Sequence, residues 1–237
     1  MRIDATDVRK RFDDVHAIDG VTFSVAAGAK VALVGPNGSG KSTFDRGLVG
    51  LVRCEGIRLD GRDPFTERAA LADRIAYVPQ TAPRIGVTAG ELVRAIAALR
   101  HLDVFEIRRL AAELELRLEE VDARPVRALS GGMQQKLLIA LALAAPVSLL
   151  VLDEPTASLD ARTRETFFRL CDERAARATV VLSSHRVDEV DRLTDRVIGH
   201  EAGRVAFDAP SGARRVVDCL TGTAAHADAP GARVRCA

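Results

Sequence analysis

An α/β fold, with a mostly parallel sheet at its centre, is what this 237-residue sequence predicts. Three observations carry that expectation. The apolar run Val31-Ala32-Leu33-Val34 opens directly into the glycine-rich stretch Gly35-Pro36-Asn37-Gly38-Ser39-Gly40-Lys41-Ser42-Thr43, and a helical segment from Phe44 to Val52 follows. A second run, Val147 to Leu152, is almost continuously apolar, as a strand covered on both faces of a parallel sheet must be, and it stops at Asp153-Glu154. Between them, Val87 to Val121 has helical spacing, with Leu92, Ile96 and Leu99 on one face and Leu110, Leu114 and Leu118 on another. No strand signal interrupts that stretch, so it reads as a helical subdomain inserted into an α/β core.

Length suits one sizeable domain, or one core with a smaller subdomain. The chain has 34 basic and 33 acidic residues and a formal charge of +1. That balance, without a basic patch interleaved with aromatics, points away from nucleic acid as a partner. Met1-Arg2-Ile3-Asp4 has no apolar h-region, so no secretory signal is read there. The longest uncharged stretch, Leu137 to Leu152, contains Pro146 and Ser148 and is shorter than the roughly 20 apolar residues of a membrane span. Cys54, Cys171, Cys219 and Cys236 are widely separated and match no metal spacing, which suits reduced thiols in a cytosolic protein.

The elements follow in order. Arg2 to Val8 and Val21 to Val25 read as short strands around turn-rich Phe12-Asp13-Asp14 and Asp19-Gly20. Phe12 either covers the core, the commoner role, or offers a flat face to a purine. The stretch Gly35 to Thr43 has the G-x-x-x-x-G-K-S pattern of a P-loop, or Walker A motif: its glycines let successive amides point into one concavity at the positive end of a helix. Lys41 supplies a mobile charge for the terminal phosphates, and Ser42 a hydroxyl for Mg²⁺. Beyond the strand Gly56 to Leu59 and a polar stretch, Ile75 to Val78 reads as a buried strand leading to Gln80, whose amide oxygen either reaches a metal or sits at the surface. Thr88 and Glu91 fit a capping box. Leu129-Ser130-Gly131-Gly132-Met133 opens the apolar helix Gln134 to Ala145; Ser-Gly-Gly exposes amides for an anion and is equally a good N-cap turn. Asp153 and Glu154 end a central strand where open α/β sheets bind ligands. There Asp153 suits Mg²⁺, and Glu154 suits a water. A helix, Ala161 to Ala176, and a strand, Thr179 to Leu182, lead to Ser183-Ser184-His185 at the same edge. Asp195 to Ile198 and Arg204 to Phe207 form a hairpin around Ala202-Gly203. The tail, 211–237, is expected to be partly disordered.

Taken together, these pieces resemble the ATP-binding cassette (ABC) ATPase family over roughly residues 1–210. The resemblance rests on the ordered set: P-loop at Gly35 to Thr43, Q-loop Gln80, signature Leu129-Ser130-Gly131-Gly132, Walker B at Leu149 to Asp153 with Glu154, D-loop Ser158-Leu159-Asp160 and H-loop His185. It implies a P-loop NTPase fold, with a RecA-like core at 1–83 and 146–210, N-terminal antiparallel strands and a helical subdomain at 84–145. It implies Phe12 stacking on adenine, Lys41 and the loop amides on the phosphates of ATP, and Ser42, Gln80 and Asp153 on Mg²⁺. Glu154 would act on water and His185 on the γ-phosphate. Ser130, Gly131 and Gly132, with Asp160 of the D-loop, would close over the nucleotide of a second cassette in a homodimer. Two departures stand out: Met133 replaces the frequent glutamine, and Asp45-Arg46 puts charge where the P-loop helix usually stays apolar.

By that resemblance the chain is the ATP-hydrolysing subunit of a membrane transporter, cytoplasmic and peripheral on the inner face of the membrane, working through separate transmembrane permease subunits. Val87-Thr88-Ala89-Gly90-Glu91-Leu92 resembles a segment of export-type cassettes. The alternative is a soluble ABC ATPase acting on DNA or ribosomes, whose tandem cassettes, coiled coils or basic arms are not seen here. A regulatory module that binds without hydrolysing is disfavoured by Glu154 and His185.

Overall fold

The computed structural model describes residues 1–84 and 86–213. The chain begins with a long antiparallel hairpin, β1 (Ile3–Phe12) and β2 (Val15–Val25), joined by β4 (Glu55–Leu59) into a three-stranded sheet ordered β2-β1-β4. Both hairpin strands are longer than the sequence predicts. Ile3, Ala5 and Val8 pack inward against Ile18, Val21 and Val25, while the solvated residues Arg9 to Phe12 continue the ladder to Phe12↔Val15. Ladder pairing needs no apolar side chain at the solvated end, so alternation is a poor guide there.

The second sheet has six strands in the order β5-β6-β7-β3-β8-β9, made by β3 (Lys30–Val34), β5 (Ile75–Val78), β6 (Leu149–Asp153), β7 (Thr179–Ser183), β8 (Arg196–Glu201) and β9 (Arg204–Pro210). All its pairings are parallel except β8 with β9, a hairpin whose turn residues Ala202 and Gly203 both have positive φ, 47° and 78°. The mostly parallel sheet with N-terminal antiparallel strands is therefore present.

Eight helices are seen among the described residues: α1 (Lys41–Leu48), α2 (Arg68–Leu71), α3 (Ala89–Arg100), α4 (Val104–Glu113), α5 (Leu118–Val121), α6 (Gly131–Ala144), α7 (Ala161–Arg174) and α8 (Val187–Leu193). Helices α1 and α6 each begin three residues earlier than expected, at Lys41 and Gly131. Poor helix formers are tolerated in a first turn, because its amides lack intrahelical partners in any case. The stretch expected to be helical from Val87 to Val121 is three helices, broken at left-handed His101 and Glu115.

Two apolar clusters lie on opposite faces of the larger sheet. Leu150 and Leu152 face one built with α3, α4, α6 and α7; Leu149 and Val151 face another built with α1 and the three-stranded sheet. Strand β6 is thus covered on both sides, which is why its sequence does not alternate. The inserted helices share their cluster with the sheet. Cys54 and Cys171 are buried free thiols, the pKa of Cys54 pushed up to about 11 by burial. Among the described residues no helix is long and apolar enough to cross a membrane. Cys219, Cys236 and 214–237 of the expected tail lie outside the described residues.

Candidate functional site

The parallel sheet puts the ends of β3, β6 and β7 on one edge, with Leu33 and Asp153 both in register with Ser183. Lys41, Ser42, Asp153, Glu154 and His185 gather there. Strand β3 enters the glycine-rich loop, and two glycines in it are dictated by space. A Cβ on Gly35 would lie 2.0 Å from the carbonyl oxygen of His200, and one on Gly40 would lie 2.2 Å from that of Ala17. Both also have positive φ, 148° and 102°. The loop is clamped between β8 and the hairpin, while Pro36, Asn37 and Gly38 remain exposed. Helix α1 starts without a side-chain cap and with no acidic residue in its first turn. Its free amides and positive end suit an anion. Lys41 Nζ donates to the Gly35 and Pro36 carbonyl oxygens at 2.7 and 3.1 Å, so the ammonium stands over the loop.

Next to the loop, the buried carboxylate of Asp153 accepts from Ser42 Oγ at 3.1 Å and from the Tyr77 hydroxyl at 3.4 Å. Burial raises its pKa above the usual range, and the neighbouring charge of Glu154 adds to this against the Ser42 hydrogen bond. A hydroxyl and one carboxylate form an all-oxygen donor set of the kind a hard cation uses. No group of three or more His, Cys, Asp or Glu able to hold a metal is present among the described residues. The pair therefore fits Mg²⁺ shared with substrate phosphates and water, not a metal held by protein alone.

Glu154 and His185, just past the C-terminal ends of the neighbouring parallel strands β6 and β7, meet: His185 Nδ1 lies 2.8 Å from Glu154 Oε1. Glu154 adopts φ 48°, while its amide donates to the Ser183 carbonyl at 2.8 Å. A left-handed backbone at a non-glycine residue costs about 1–3 kcal/mol and is kept where the surroundings enforce it. Here a strand end, a buried carboxylate and the hydrogen bond to the exposed His185 imidazole do so.

Other predicted residues are placed less decisively. Gln80 is exposed just past β5, and it is Tyr77, three residues earlier, that reaches Asp153. Phe12 is 45% exposed at the hairpin tip with Lys10 Nζ 4.8 Å above its ring, so a cation engages one of its two ring faces. Ser130 caps α6 by accepting from the Met133 amide at 3.3 Å, and Asp160 caps α7 by accepting from the Thr163 amide at 2.9 Å. Gly132 is needed sterically, since a Cβ would lie 2.9 Å from the Ser158 carbonyl oxygen. Signature and D-loop are thus adjacent. Thr43, in the first turn of α1, is half-buried.

Two polar clusters behind the site were not found by motif reading. Asp45 is fully buried and accepts from Ser183 Oγ at 2.6 Å. Burial, then the charge of Asp153, push its pKa well above the usual carboxylate range. The Asp45-Arg46 pair, charged where a P-loop helix usually stays apolar, was the available signal. In the second cluster, buried Glu189 of α8 accepts from Thr156 Oγ1 and, at 2.8 Å, from Ser184 Oγ. It ties the loop after Glu154 to the residue before His185.

Comparison with known proteins follows this geometry. Nod factor export ATP-binding protein I of Sinorhizobium fredii is 38% identical over 209 residues, 85% of this chain and 61% of its own length. Daunorubicin/doxorubicin resistance ATP-binding protein DrrA of Streptomyces peucetius is 33% identical over 216 residues, 89% of this chain and 66% of its own. The chain thus spans less than two thirds of the length of either relative. A solved structure described as the ATP binding subunit of an ABC transporter superposes with a TM-score of 0.80 at 27% identity, covering 93% of this chain and 100% of that one. A bacterial Atm1-family ABC exporter with ATP bound gives 0.79 at 26% identity, covering 94% of this chain and 40% of that one. The family profile described as ABC transporter matches residues 18–157, from β2 through the P-loop to just past Glu154, and with more than half of the sequence inside it this chain belongs to the ABC transporter family.

Proposed function

We propose that this chain is the ATP-binding and ATP-hydrolysing subunit of an ABC membrane transporter, of the export type. The observation that carries the reading is the contact between Glu154 and His185 at 2.8 Å, on the sheet edge shared by Lys41, Ser42 and Asp153. The loop amides of 35–43 and Lys41 hold the phosphates. Ser42 and Asp153, with Gln80 from the adjoining loop, would hold Mg²⁺, which when bound would offset the charge of the phosphates. Glu154 orients and polarises the attacking water, and His185 holds Glu154 by its Nδ1 side and faces the γ-phosphate. Phe12 stacks on adenine. Ser130, Gly131 and Gly132, with Asp160 nearby, close over ATP held by a second copy of the chain.

The export direction is supported by the names of the relatives, a Nod factor export ATP-binding protein and a daunorubicin/doxorubicin resistance ATP-binding protein. The chain then acts at the inner face of the membrane on separate transmembrane subunits. Purified protein is expected to hydrolyse ATP with Mg²⁺, and Glu154→Gln to lower turnover by about a hundredfold or more, with nucleotide affinity within a few-fold of wild type. Wild-type turnover in that variant, measured by phosphate release, would overturn the assignment. Co-purification with a polytopic membrane protein tests the transporter role separately.

A further inference from the structure

Asp45 is a carboxyl group where α1 meets the sheet, on a helix whose buried neighbours Phe44 and Leu48 are apolar. It is completely buried, three residues after Ser42 and four after Lys41. Its one side-chain hydrogen bond among the described residues is specific: Oδ2 takes the Ser183 hydroxyl at 2.6 Å, while Oδ1 is buried with no hydrogen bond. Ser183 is a junction. It ends β7, pairs with Asp153 on β6 and Leu33 on β3, and its carbonyl oxygen accepts the Glu154 amide at 2.8 Å. Two residues on, His185 meets Glu154.

We propose that Asp45 is a positioning residue for hydrolysis: its hydrogen bond to Ser183 is a strut that fixes the α1 groups Lys41 and Ser42 relative to the β7 end, which carries the Glu154 amide and leads to His185. The proposal rests on the ATPase reading given above. A buried polar contact between two elements costs desolvation that an apolar pair avoids, and what it provides in return is one relative placement rather than many. The strut joins the phosphate-holding element to the water-holding element, so its loss affects chemistry and spares nucleotide binding. A shift of about 1 Å between such groups is enough to slow a reaction about a hundredfold.

The test uses the full-length protein in four forms, Asp45→Asn, Asp45→Leu, Ser183→Ala and the double variant Asp45→Leu/Ser183→Ala. Mg²⁺-dependent binding of a fluorescent ATP analogue is measured beside kcat and KM. Asparagine keeps an acceptor for the Ser183 hydroxyl, so Asp45→Asn is expected within about threefold of wild-type kcat. Asp45→Leu and Ser183→Ala are each expected to lose about tenfold in kcat with analogue affinity within about threefold, and the double variant to be no worse than either. The role is overturned if Asp45→Leu or Ser183→Ala turns over like wild type, if the two losses multiply, or if Asp45→Asn falls as far as Asp45→Leu. Should Asp45→Leu fail to fold, Ser183→Ala interrogates the same bond from the other side. Absence of turnover and of analogue binding in the wild-type protein would instead refute the ATPase reading, and the strut with it.

Discussion

His200 lies directly behind the phosphate loop, its carbonyl oxygen limiting Gly35 to glycine and its ring packed edgewise on Phe23 and Phe44 at centroid distances of 6.5 and 5.9 Å. Both ring nitrogens are buried without a hydrogen bond among the described residues. Burial, and then the charge of Lys41, lower its pKa from 6.5 to about 4. The imidazole is therefore neutral in the folded protein at pH values where the unfolded chain protonates it. Between those two values the unfolded state binds more protons, so stability is lost as pH falls through the window, by up to about 3 kcal/mol. His200→Leu removes the effect. The variant is expected to equal or exceed wild type at pH 7, since an orphaned buried polar group costs about 1–3 kcal/mol. Its advantage should grow between pH 6.5 and 4. Urea unfolding at pH 7, 6 and 5 measures this, and parallel pH dependences in the two proteins would show that His200 titrates normally.

At the level of elements, the start of α3 is held by reciprocal hydrogen bonds. Thr88 Oγ1 accepts from the Glu91 amide at 3.2 Å, and the Glu91 carboxylate accepts from the Thr88 amide at 2.8 Å. Thr88→Ala is expected to cost about 1 kcal/mol, read as a lowered midpoint in thermal or urea unfolding, with nucleotide affinity unaltered. This cap was legible in the sequence because both partners lie within four consecutive positions. The order of strands and helices, the P-loop and the acidic pair at the end of β6 were legible for the same reason: strand, turn and helix signals are local. The hairpin length was not, since Arg9 to Phe12 extend the ladder without a buried apolar side chain to mark it. Nor was the Asp45–Ser183 bond, whose partners are 138 positions apart and are joined only once β3, β6 and β7 align. Tyr77 illustrates the third kind of miss. Its hydroxyl reaches Asp153 from an adjacent strand, whereas motif reading looked three residues later, to Gln80.

On the scale of the whole molecule, charge as well as packing joins the inserted helices to the rest. Glu106 and Glu113 of α4 pair with Arg174 and Arg169 of α7, and Glu115 pairs with Arg162 at 3.1 Å. Single exposed pairs contribute little, but a row of them along two helices whose apolar sides share one cluster favours one relative placement. That placement leaves Pro36 to Gly38 of the glycine-rich loop and Ser130-Gly131 at the start of α6 open to solvent. The signature glycines border Ser158, so the α6 end and the D-loop form one surface. A second copy related by a twofold axis can present that surface to the first copy's phosphate loop and receive the same in exchange, an isologous contact that closes at two chains. Because the γ-phosphate would be shared, slowing its cleavage should trap the pair. Glu154→Gln with Mg²⁺ and ATP is therefore expected to elute in size-exclusion chromatography near twice the 25.4 kDa chain mass, and to return to the monomer position when ATP is replaced by ADP. Adding Gly132→Ala, whose methyl group would crowd the Ser158 carbonyl, should reduce the dimer fraction without weakening nucleotide binding by the isolated chain. A Glu154→Gln protein that stays monomeric with saturating ATP would separate hydrolysis from pairing and remove the twofold arrangement from the mechanism.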